Sequence, residues 1–118
     1  MAEVRLRKVE SLLKEEISGL IGRRVIKDPR LAPLTTITDV EVSRDLHYAK
    51  VYVSLYGDTE IRAQSVEALN HAAGFIHAKL KKNIRLRFIP RLTFLADDSI
   101  ERGVRLTNKI RDLTGFEH

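Results

Sequence analysis

Between Lys79 and Arg91 the chain places six cationic side chains, Lys79, Lys81, Lys82, Arg85, Arg87 and Arg91, with no carboxylate among them. Ammonium and guanidinium groups clustered without counter-charges repel one another, and a polyanion relieves that repulsion. The chemistry that suits such a run is neutralisation of phosphates, so nucleic acid is the expected partner and these six residues the expected contact. The preceding residues, 57 to 78, hold one arginine against three acids, so the positive field is local.

Just ahead of the run, Ala72-Ala73-Gly74 breaks into a helical pattern. A glycine inside a helix costs about 0.5 to 1 kcal/mol relative to alanine, through backbone entropy. Three small residues followed by bulky Phe75 and Ile76 predict a sharp change of direction where two backbones or a ligand approach closely. A fresh helix beyond the bend would present unpaired amides and a partial positive charge, an anion site suited to phosphate. The alternative is that Gly74 only relieves crowding against the sheet. If the bend uses a positive φ at Gly74, a β-branched substitute there would impair folding and function together.

Arg5, Arg7, Arg23, Arg24 and Lys50 are secondary candidates for the same chemistry. Tyr48, Tyr52 and Tyr56 fall on one side of a predicted strand with Lys50 and Ser54, and rings beside cations can stack unpaired bases. Tyrosine also favours a half-exposed strand for its own sake, which is the simpler reading.

Acid–base chemistry has less to work with. His71 and His77 lie about 240° apart around an ideal helix, His47 falls in a turn, and His118 is terminal. None has metal-ligand spacing. Asp97 and Asp98 resemble a carboxylate pair, but Asp98 and Glu101 are spaced as a helix-capping box. No phosphate loop, nucleophile elbow or dinucleotide fingerprint occurs. A small ribonuclease is therefore the weaker alternative, and no catalytic residue, metal or cofactor is expected. A membrane-docking role for the N-terminal segment is opposed by its acids, Glu3, Glu10, Glu15 and Glu16.

The elements that must position the basic run follow from periodicity. Residues 3 to 21 repeat Leu6, Val9, Leu13, Ile17 and Leu20 or Ile21 at helical spacing, with Gly22 expected to end the helix. RRVIKDPRLAPL reads as a loop with room for one helical turn. TITDVEVS alternates only in its second half, HYAKVYVSLY alternates throughout, and SRDLH between them suits a hairpin. GDTE offers a helix start, and Glu60 to Lys82 carries Val66, Leu69, Ala73, Ile76 and Leu80 on one face. A third strand begins after Pro90, and DDSIERGVRLTNKIRDL predicts a weak C-terminal helix. With 118 residues, 43% of them apolar and 31% charged, the chain suits one α+β domain. It has no cysteine, no secretion signal and no apolar run of membrane-spanning length, so a cytoplasmic location is expected.

The order αββααβ, the Ala72-Ala73-Gly74 bend, DPR at 28 to 30, TDVEVSRDLHYAKVYVS at 38 to 54 and PRLTFLADDSIERG at 90 to 103 closely resemble the ribosome-binding factor A family of bacterial small-subunit assembly factors. The resemblance runs from about residue 3 to 113. It implies a fold similar to a type II KH domain, with three helices packed on one face of a three-stranded sheet. An AxG bend at Ala72 and Gly74 would replace the usual GxxG loop. The KH-like RNA-binding domain would span 3–96, and a short, partly helical C-terminal extension 97–118. The resemblance also implies a non-enzymatic monomer without cofactor. Such a protein would bind the free 30S subunit and its 16S rRNA late in maturation and support 5′-end processing, including in the cold. A ribosome-associated GTPase that promotes release is a further implied partner.

Overall fold

Val9, Leu13, Ile17 and Leu20 form one apolar stripe, and burying it makes α1, Ala2–Gly22, in the computed structural model, which describes residues 2–31 and 35–97. The chain leaves this helix through Arg24 rather than through a left-handed glycine. Arg24 adopts a φ of 56°, and the amides of Arg24 and Val25 donate to the carbonyls of Ile21 and Leu20 at 3.0 and 3.1 Å. That bonding pattern is a Schellman closure, with arginine where glycine is usual. Beyond it, residues 25–31 form a loop that closes in one turn, with the Leu31 amide donating to the Asp28 carbonyl at 3.1 Å.

The strands are β1, Thr35–Val42, β2, Tyr48–Leu55, and β3, Arg91–Ala96, in the order β1-β2-β3. β1 and β2 form an antiparallel hairpin, whereas β2 and β3 run parallel. The register of β1 shifts between Ile37 and Asp39. The extra residue, Thr38, is a bulge, and it explains the half-broken alternation of TITDVEVS: Ile37, Val40 and Val42 all reach the core face despite uneven spacing. Ala49, Val51 and Val53 from β2 and Leu92 and Phe94 from β3 complete that face.

The parallel connection needs a crossover, supplied by α2, Thr59–His71, and α3, Ala73–Asn83. Asp58 caps α2 by accepting the Ile61 amide at 2.8 Å, as the GDTE turn predicts. α1 packs on β1, α2 along β3, and α3 on both α1 and β3. Their buried residues join one cluster with the sheet, so the three helices cover a single face, as expected.

Helix side chains also close both sheet edges. Glu10 of α1 accepts the outward Val42 amide at 2.8 Å. Asn70 of α2 accepts the Phe94 amide at 2.7 Å and donates to the Phe94 carbonyl at 3.0 Å, as a further strand would. The C-terminal helix expected from the sequence lies outside the described residues except for Asp97, whose amide donates to Val53 at 2.7 Å. Among the described residues no helix is long and apolar enough to cross a membrane.

Candidate nucleic-acid interface

One residue, Ala72, separates α2 from α3, with φ −86° and ψ 1°. Its ψ departs by about 40° from the helical value. Helical bonding nearly spans the break, because the Ala72 amide donates to Ala68 at 3.0 Å and the Ile76 amide to Ala72 at 2.9 Å. Gly74 sits in the first turn of α3, and its φ is not positive. The turn in the chain therefore lies at Ala72, the first residue of the expected Ala72-Ala73-Gly74 bend, and it uses no positive φ at Gly74. Crowding does not explain the glycine either, since an added Cβ would meet nothing within 4 Å.

What Gly74 leaves is room. With Ala73, His77, Arg91 and Leu92 it lines a groove of about 390 Å³ between α3 and the start of β3. Arg91, the last cation of the basic run, thus meets the N-terminal turn of α3, where amide hydrogens and the helix dipole favour anions. His77 stands beside them, with Nε2 3.0 Å from the Ile89 carbonyl.

The other cations lie outside this groove, along α3 and the segment that leads to β3. Lys79 is half-buried, with Nζ 5.5 Å from the centre of the Phe75 ring, so part of its charge is engaged in a cation–π contact. Lys81 and Lys82 are exposed in the last turn of α3, where positive charge complements the helix C-terminus. In the segment that follows, Ile84 and Ile89 are buried and Leu86 is half-buried, which turns Arg85 and Arg87 outward. Arg91 is exposed beside buried Leu92. Among the described residues no carboxylate forms an ion pair with any of the six. The run passes from the helical layer through the connecting segment to the edge strand.

The secondary candidates stand apart from that groove. Arg5 and Arg7 are exposed on α1, and Arg23 and Arg24 on the turn after it. Arg24 lines a separate hollow with Lys27 and Thr35. Lys50 lies on the sheet face away from the helices, opposite Glu41 in register. The three tyrosines do not act together: Tyr52 is 2% exposed against 60% for Tyr48 and 78% for Tyr56. Tyr48 begins β2, and Tyr56 follows its last residue at the other end.

Two local arrangements escape sequence reasoning. His47, in the hairpin turn, stacks on Phe88, with ring centres 5.2 Å apart and planes at 17°. In the DPR stretch, Arg30 forks onto Asp28 through Nε at 3.1 Å and Nη2 at 2.8 Å. The hydrogen bonds from Arg30 hold the Asp28 carboxyl well below its ordinary value, at about 2. The Arg30 carbonyl accepts from the buried Ser65 hydroxyl at 3.1 Å, tying this loop to α2. A short Asp-Pro-Arg spacing could have signalled the fork; nothing in the sequence pairs His47 with Phe88. His71 lines a different hollow, with Pro29 and Phe75, so it does not join His77. Among the described residues no three potential ligands converge on a metal position.

Comparison with known proteins agrees with this architecture. The family model described as Ribosome-binding factor A matches residues 5–110. A relative named Ribosome-binding factor A from Dictyoglomus thermophilum is 44% identical over 109 residues, covering 92% of this chain and 90% of that one. The crystal structure of ribosome-binding factor A from Thermus thermophilus is 32% identical, with a TM-score of 0.66 over 77% of this chain and 94% of that one. A homology model of the Thermus thermophilus protein, fitted into the cryo-EM map of a 30S complex, is 33% identical, with a TM-score of 0.62 over 75% of this chain and 90% of the other. With a family match over nearly the whole length and the same sheet and helices beneath it, this chain belongs to the ribosome-binding factor A family.

Proposed function

We propose that this protein binds the free 30S ribosomal subunit late in its maturation, contacts 16S rRNA through the basic run, and so supports processing of the 16S 5′ end, including in the cold. It works as a monomer in the cytoplasm without catalysing a reaction, and a ribosome-associated GTPase promotes its release. Family membership and the 30S complex of the Thermus thermophilus relative support the choice of particle. The observation that carries the RNA contact is the groove at Gly74 and Arg91 together with four more exposed cations along α3 and the segment before β3, none of them in an ion pair with a described carboxylate. Phosphates supply the charge this surface lacks.

If about five phosphates are engaged, log affinity falls against log salt with a slope of roughly −3.5 to −4.5. Co-sedimentation with free small subunits, large subunits and whole ribosomes at several salt concentrations measures this directly. Binding to the small subunit alone, with that slope, is the expected result. Lys81→Glu combined with Arg85→Glu should abolish sedimentation with the subunit while leaving the thermal transition in place, because exposed charges contribute little to stability. Wild-type affinity in the double variant would move the contact elsewhere.

A further inference from the structure

The segment between α3 and β3 exposes a ring that the core does not use. Phe88 is 43% exposed, although its neighbours Ile89 and Pro90 are buried and hold the backbone in place. His47 lies parallel to it at 5.2 Å, and Tyr48, 60% exposed, is tilted against His47 with ring centres 6.5 Å apart. The fold holds these rings together: the Arg91 amide donates to the His47 carbonyl at 2.8 Å, and Tyr48 lies opposite Arg91 in the parallel register. Arg85, Arg87 and Arg91, all exposed, bracket Phe88 along the chain. The one acid of the hairpin turn, Asp45, is engaged by its own loop, accepting from the Ser43 hydroxyl at 2.6 Å and the His47 amide at 3.0 Å.

Phosphate binding alone needs no exposed aromatic surface. A duplex hides the faces of its bases, and an acidic peptide offers no flat apolar partner. An unpaired nucleotide offers both a planar face and adjoining negative charge. We propose that Phe88, backed by His47 and flanked by Tyr48, is a stacking platform for an unpaired RNA base, with Arg85, Arg87 and Arg91 on the neighbouring phosphates. This rests on the reading that the chain binds RNA, and it adds that the bound RNA is locally single-stranded.

The test compares wild type, Phe88→Ala, Phe88→Leu and Phe88→Tyr in binding a labelled single-stranded oligoribonucleotide and a duplex of equal length, each across a salt series. Phe88→Ala and Phe88→Leu should weaken single-strand binding by about 5- to 160-fold, the range of one base–aromatic stack. Their salt slope should equal that of wild type, since no phosphate contact is lost, and their duplex affinity should not change. Phe88→Tyr should stay within about twofold of wild type. A 2-aminopurine reporter in the single strand should be quenched by wild type and left bright by Phe88→Leu, which keeps the bulk of the side chain and guards against a folding defect in the alanine variant. Wild-type single-strand affinity in Phe88→Leu, or equal losses on single strand and duplex, overturns the platform and leaves RNA binding intact. Failure of the wild-type protein to bind either RNA overturns both readings.

Discussion

At Gly57 the backbone φ is 142°, and an added Cβ would sit 2.7 Å from Cγ2 of Ile61, so the fold itself requires that glycine. Gly74 is under no such constraint, and removing its conformational freedom should help the folded state. Gly74→Ala is expected to raise stability by about 0.5 to 1 kcal/mol, read by denaturant unfolding. The same methyl group enters the groove beside Arg91, so affinity for the small subunit should fall. A variant both more stable and fully active would show that nothing approaches the backbone there. The cost of a helical glycine and the place of the bend were legible in the sequence, but which of the three small residues breaks the helix was not. Ala72 takes that role because ψ at a helix junction is set by how the two flanking helices pack, which residue type does not report. At the end of α1 the helix stops at Gly22 as expected, while the left-handed residue that closes it, Arg24, carried no signal in the sequence.

Elements were easier to read where periodicity carried them. The stripe of α1, the strict alternation of β2 and the shared face of α2 and α3 each predicted the buried side correctly. Even the bulge at Thr38 showed itself, as alternation that held only in half of TITDVEVS. The bonds that lock elements together were invisible, because their partners are distant along the chain and only the packing of helices on the sheet brings them into reach. Asn70 with Phe94, Glu10 with Val42, and His47 with Phe88 are all of this kind. Asn70→Ala removes two hydrogen bonds to the β3 edge and leaves the Phe94 amide and carbonyl without that partner. The expected loss is about 1 to 3 kcal/mol of unfolding free energy, measured by urea titration. An unchanged midpoint would mean that water replaces the side chain at that edge.

At the scale of the whole molecule, the charge imbalance of the basic run was plain in the sequence, while its course across helix, connecting segment and edge strand had to come from the fold. Stability should respond to acid through the loop that joins α1 to β1. The Asp28 carboxyl is lowered to about 2 by its bonds from Arg30, so its contribution is fully present above its ordinary value near 4 and is lost as pH falls through about 2. The difference in melting temperature between wild type and Asp28→Asn should therefore hold steady from neutral pH to about 4 and close towards pH 2. A gap that persists at pH 2 would assign the effect to something other than this carboxylate.

Asn70 and His77 stand on either side of Ala72, and each is fastened to the chain of β3 or its approach, one at Phe94 and the other at Ile89. Swivelling α3 against α2 would tear at least one of these straps, so the angle between them is built in before any encounter. On the RNA contact proposed above, the adjustment expected on association therefore falls to the nucleic acid rather than to this helix pair.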